Sequence, residues 1–142
     1  MNISIRSVRC TVLVAAISFL FSFGAAAAAP AGADLGQPAG SIVVPSGMTA
    51  AEVQTAIVAA LSGRQWLVTE KTTDRVVGYI KHRKNEATLT LIYDTSKIEL
   101  YCVGWRIDKT TGEREKPEQP KGWIKYIEKD LTRNLNRGTA AK

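Results

Sequence analysis

Histidine and cysteine are nearly missing from this chain, whose 142 residues include one His and two Cys. Cys10 lies in an N-terminal segment that reads as removable, so Cys102 is left as a single thiol and no intramolecular disulfide can form. One His and one Cys also fall short of the three or four ligands that zinc takes. No Gly-rich phosphate cradle or nucleophile elbow is present. After residue 29 no apolar run approaches the roughly 20 residues needed to cross a bilayer. These gaps exclude a disulfide scaffold, a zinc enzyme and a membrane-spanning mature chain, and no cofactor is expected.

What is present begins with three zones typical of a secretory signal. Arg6 and Arg9 form a basic start, Thr11 to Phe23 an apolar run, and Gly24 to Ala29 a small-residue stretch. Residues 1–29 are therefore expected to be a signal peptide, with cleavage near Ala27 to Ala33. Cys10 precedes the apolar run, whereas a lipidated cysteine follows one, so a lipoprotein is not expected. Of the charged residues, all 13 acids and 17 of the 19 Lys and Arg lie beyond this segment, leaving a net charge near +4. That mild excess suits contact with anionic envelope material and does not call for a nucleic-acid partner. About 110 residues remain, enough for one domain.

Residues 30–47 are rich in Ala, Gly and Pro and read as a linker, with a short apolar patch at Ile42 to Val44 that could add a brief edge strand. A single domain is expected over 48–137. Its first helix opens after Met48, where Thr49 and Glu52 have the spacing of a capping box and Met48 and Val53 that of a hydrophobic staple. Val53, Ala56, Ile57, Ala60 and Leu61 draw one apolar stripe, and Gly63 supplies the expected stop. A last helix is expected from Pro120 to Asn136. Trp123, Ile124, Ile127, Leu131 and Leu135 form its apolar side, and Lys121, Lys125, Lys129 and Arg133 its wet side. Residues 138–142 are expected to fray.

Between the helices, four segments have strand composition: Gln65 to Glu70, Val76 to Lys84, Ala87 to Asp94 and Ile98 to Arg106. A loop of Asn85 and Glu86 would pair Ile80 with Leu91 and His82 with Leu89. One of Thr95 and Ser96 would pair Leu91 with Leu100 and Leu89 with Cys102. Both registers place Ile80, His82, Leu89, Leu91, Tyr93, Ile98, Leu100 and Cys102 on one face, and a turn of Thr72, Thr73 and Asp74 adds Trp66 and Val68. Asp108 to Glu118 reads as a charged, exposed loop. The expected fold is α+β, a two-layer sandwich in which a four-stranded antiparallel meander carries an N-terminal and a C-terminal helix on one face.

Three stretches add a family likeness over roughly Thr49 to Leu135: Gln65-Trp66-Leu67-Val68-Thr69-Glu70, Arg83 through Asp94, and Gly122-Trp123-Ile124-Lys125-Tyr126-Ile127. They resemble the strand, hairpin and final-helix segments of a family of small periplasmic proteins and lipoproteins of proteobacteria that has no assigned activity. The resemblance implies a compartment and an architecture. Where that family tends to carry Tyr-x-x-Ser-x-Asn-Leu after its last strand, this chain has Cys102-Val103-Gly104-Trp105-Arg106, and the family's His and Asn before the final tryptophan are missing.

His82 and Cys102 invite a nucleophilic dyad, but a strand separates them and their backbones should lie nearly 10 Å apart at about 4.8 Å per strand. Glu113, Glu115 and Glu118 share a loop with Arg114 and Lys116, which is the composition of a solvated loop and not of a fixed acid pair. The outward sheet face holds more promise. By the same registers it carries Tyr79, Lys81, Arg83, Thr88, Thr90, Ile92, Glu99, Tyr101, Val103 and Trp105, so aromatics and cations interleave.

The candidate binding residues are Tyr79, Lys81, Arg83, Thr90, Tyr101 and Trp105. The partner classes they fit are an envelope protein, a glycan or an anionic lipid. The reading is a periplasmic, non-enzymatic binding or envelope-accessory module. A structural or assembly protein acting through the helix pair or an edge strand, the first or fourth of the four, is the alternative, and an enzyme the weakest one.

Overall fold

The computed structural model describes residues 35–140. The signal-peptide reading of residues 1–29, the first residues of the linker segment and residues 141–142 lie outside the described residues. The elements are β1 (Gln37–Val43), α1 (Ala50–Ser62), β2 (Leu67–Lys71), β3 (Arg75–His82), β4 (Asn85–Tyr93), β5 (Lys97–Ile107), β6 (Arg114–Pro117) and α2 (Lys121–Ala140).

Helix α1 starts where the capping box required. The Thr49 hydroxyl accepts from the Glu52 N–H at 3.3 Å, and the Glu52 carboxylate accepts from the Thr49 N–H at 2.7 Å. Met48 and Val53 are both buried, as a staple demands. The helix stops at Gly63 as expected, although not through a left-handed glycine. Gly63 stays in the right-handed region at φ −64°, and the left-handed position falls to Gln65 at φ +62°. There the Trp66 N–H bonds to the Leu61 carbonyl and the Gln65 N–H to the Ser62 carbonyl, while the buried Leu61 and Trp66 side chains complete a Schellman turn. An L-residue in this conformation costs about 1–2 kcal/mol, which glycine would avoid.

The sheet has six strands, not four, in the order β1-β5-β4-β3-β2, with β6 also paired to β5. Every pairing is antiparallel. Strand β1 falls inside the segment expected to be linker and is longer than the brief patch at Ile42 to Val44. Its sequence, with Pro38 and Gly40, has low strand propensity. Pairing with the long β5 stabilises it, because Ile42 lies opposite Ile98 and Gly40 opposite Leu100. Strand β6 likewise arises within the loop expected over Asp108 to Glu118. Asp108 accepts from the Thr110 and Thr111 N–H groups at 2.7 and 2.8 Å, and Gly112 takes φ +75°, so a tight turn returns the chain along β5. The fourth expected strand, β5, is therefore no edge, while the first, β2, is.

The β4–β5 register is as expected, with Leu91 opposite Leu100 and Leu89 opposite Cys102. The β3–β4 register is displaced by four residues. Its turn is Arg83 and Lys84, so His82 faces Asn85, Gly78 faces Leu89 and Val76 faces Leu91. Asn85 and Glu86 belong to the strand because Glu86, polar enough to suggest a loop, is buried against Arg114 and Lys81. A shift of an even number of residues keeps each side chain on its face, so the division into two faces survives.

One core joins both helices to the same sheet face, with Val53, Ile57 and Leu61 of α1, Ile127, Leu131 and Leu135 of α2, and Val76, Leu89, Leu91, Ile98 and Leu100 of the strands all buried. Two glycines permit the close approaches. A Cβ on Gly78 would lie 2.9 Å from Leu61, and one on Gly104 would collide with the Glu118 carbonyl where the chain crosses from β6 to α2. Helix α2 continues through Ala140, past the expected end, with Gly138 against Met48.

Candidate binding surfaces

The sheet face opposite the helices is built in cross-strand rows. One row runs Glu70, Val77, Thr90, Tyr101 and Pro38, the next Leu67, Tyr79, Thr88 and Val103, and a third Lys81, Glu86, Trp105 and Pro117. Five of the six candidate residues, Tyr79, Lys81, Thr90, Tyr101 and Trp105, thus share this face. Arg83 does not. It sits in the β3–β4 turn at φ +55°, because the two-residue turn falls two positions earlier than expected. Thr90 is only 7% exposed and supports its row more than it meets solvent. Leu67, by contrast, is 65% exposed at the sheet edge.

The cations of this face are not free anchors. Arg114 donates to Glu86 at 2.5 Å and lies 5.4 Å over the Trp105 ring, and Lys81 approaches the same carboxylate at 4.0 Å. At the other end Arg75 binds Glu70, and Lys97 donates to Glu99 at 2.7 Å, holding the Glu99 carboxyl below its usual range. The centre is aromatic and aliphatic and the rim is made of closed ion pairs.

A second surface was not legible in the sequence. The Schellman turn after α1, the end of β3 and the first turns of α2 enclose a cleft of about 250 Å³. Its aromatic wall is a chain of edge-to-face contacts, Trp66 to Trp123 and Trp123 to His82, each with ring centroids 6.4 Å apart. At the lip Tyr126 is 53% exposed, with the Arg64 guanidinium 4.9 Å over its ring. Arg64 is fixed in turn by its Nε, which donates to Asp130 at 2.5 Å. Asp130 is nearly buried, accepts from Arg133 as well, and is held below its ordinary pKa chiefly by the Arg64 hydrogen bond. The signal that could have exposed this cleft is the absence of glycine at position 65, where the helix stop needs one.

His82 and Cys102 are farther apart than expected. The register shift moves His82 four residues along β3 from the row of Cys102, which with two strand spacings makes about 16 Å between backbones. Cys102 is buried, and burial pushes its thiol up to about 11. Of the three glutamates near β6, Arg106 pairs with Glu115 at 3.4 Å and Glu118 at 3.7 Å. Among the described residues no three His, Cys, Asp or Glu are grouped to hold a metal, and no helix is long and apolar enough to cross a membrane. Lys121, Lys125 and Lys129 on α2 are exposed.

A two-layer α+β domain with one sheet face left uncovered by the described residues is the class these observations define. The chain matches no protein-family model, no curated protein and no solved structure.

Proposed function

We propose that this chain is an exported, non-catalytic binding module of the cell envelope that docks a partner protein on the open face of its sheet. The observation that carries the proposal is the arrangement of that face: Val77, Tyr79, Tyr101 and Val103 at the centre with Leu67 beside them on the edge strand β2, bounded by Glu70 with Arg75, Lys97 with Glu99, and Lys81 and Arg114 with Glu86. An apolar centre within a polar rim is the anatomy of a protein interface. Five strands at about 4.8 Å spacing make a platform about 19 Å across between its outer strands, suited to the core of an interface that buries about 800 Å² per partner. Neutralised cations favour a protein over an anionic lipid, which would need unpaired charge.

Export rests on the basic, apolar and small-residue zones of residues 1–29, and the likeness to periplasmic proteins agrees with it. Assembly through the β2 edge is less favoured, because a bulge between Val68 and Glu70 and the charges of Glu70 and Lys71 interrupt it.

Capture of envelope proteins with the wild-type chain and with a Tyr79→Ser, Tyr101→Ser variant tests the proposal. A partner retained by the first and lost by the second, at an unchanged thermal midpoint, supports it. Equal capture by both, or no partner for either, contradicts it.

A further inference from the structure

We infer that the cleft between the turn after α1 and the start of α2 is a sugar-binding site that takes one neutral pyranose ring of a glycan. It opens beside the open sheet face, sharing only Lys81 with the rim of that face, and does not depend on that face having a partner. Its aromatic elements are held before any ligand arrives. Asp130 fixes Arg64, Arg64 covers one side of Tyr126, and the Trp66–Trp123–His82 chain sets the opposite wall. An exposed ring held in this way offers a stacking surface for the C–H groups of a sugar at little entropic cost.

Polar groups converge on the same space. Among the described residues no hydrogen bond uses the Gln65 side-chain amide, the His82 ring nitrogens or the terminal nitrogens of Arg64, although all three residues line the cleft. Together they supply donors and acceptors, the mixed set that ring hydroxyls satisfy. Arg64 is balanced by Asp130 and Lys81 faces Glu86, so the cleft has no unpaired cation to select an anion. Its volume of about 250 Å³ lies just under the range of about 300–1,000 Å³ for drug-sized ligands and suits a single ring.

The third observation is Gln65 itself. It occupies a left-handed position that favours glycine, and it does so at the lip of the cleft. Backbone strain retained beside a cavity is a mark of function, and the side chain gained in exchange is an amide, the group common in polar ligand sites.

The test uses the full chain and three probes: the β-linked trisaccharide of N-acetylglucosamine, maltotriose, and N-acetyltryptophanamide as an aromatic competitor without ring hydroxyls. Amide and indole resonances are followed by NMR up to about 10 mM ligand. A trisaccharide that shifts the Trp123 indole and Gln65 amide signals, with Trp105 unmoved, is the expected result. Tyr126→Ala should abolish the shift. Gln65→Gly should weaken binding about tenfold while raising the unfolding midpoint, which separates a lost contact from a damaged fold.

Tyr101→Ser should bind as the wild type does, so failure here and failure of the sheet-face proposal are told apart. No shift with either sugar, shifts with the tryptophan amide alone, or undiminished binding by Gln65→Gly would overturn the inference.

Discussion

Arg64 donates from Nε to Oδ2 of Asp130 across 2.5 Å, tying the turn that ends α1 to the middle of α2. The bond lowers the Asp130 pKa from its ordinary 3.8, with attraction to Arg64 and Arg133 adding to it and partial burial opposing it. A carboxylate depressed in the folded state contributes stability that is complete above its unfolded pKa and is lost as pH falls through the folded value. Asp130→Asn should therefore lower the denaturant midpoint at neutral pH, and the deficit should close in acid, as the pH falls through the depressed folded-state pKa. Denaturant titrations at neutral and acid pH check this.

Gln65→Gly should stabilise the protein by about 1 kcal/mol, because glycine carries no Cβ into the left-handed turn. Gln65→Val should destabilise it, since β-branching adds to the crowding. Chemical denaturation of the pair gives the sign of each change.

How much of this could be read from the residues depended on distance along the chain. The Thr49–Glu52 box and the Leu91–Leu100 pairing were legible because each is decided within a few residues, by a cap or by a two-residue loop. Arg83 was misplaced because Asn85 and Glu86 are a stronger local turn signal than Arg83 and Lys84. The ion pair that keeps Glu86 in the sheet comes from Arg114, 28 residues away.

Strand β1 was illegible for a related reason. Pro38, Gly40 and Ser41 do not favour a strand by themselves and form one only along the edge of β5. The open sheet face emerged almost whole, because an even register slip preserves facing. The cleft did not, since it exists only once the α1 turn and the crossing at Gly104 bring Trp66 and Trp123 together.

Gly104 gives a sharp packing prediction. A methyl group there would collide with the Glu118 carbonyl and press on Pro120, so Gly104→Ala must displace the crossover into α2. A loss of about 1–3 kcal/mol is expected, with faster amide exchange at Glu118, whose N–H bonds to the Gly104 carbonyl. Hydrogen exchange by NMR reads the local effect, and equilibrium unfolding the global one.

Cys102 should be silent to thiol reagents in the folded protein and react at once in denaturant, because it is buried. Its pKa is raised from 9.0 to about 11 by burial alone. The folded state thus favours the neutral thiol, and the stability this contributes is complete below the unfolded pKa and declines as pH rises from there toward about 11. Cys102→Ala should remove this part of the alkaline loss while costing some packing. Unfolding midpoints across the alkaline range, for both proteins, measure it.

The central claim, that the uncovered sheet face receives a partner protein, is tested most directly by site-specific photocrosslinking in the native cell. A photoreactive amino acid replaces Tyr79, Val103 or, as a control on the far side of α2, Lys129. Discrete protein adducts from Tyr79 and Val103 with none from Lys129 are the predicted result. Adducts from Lys129 alone, equal yields at all three positions, or none at either sheet position would contradict it.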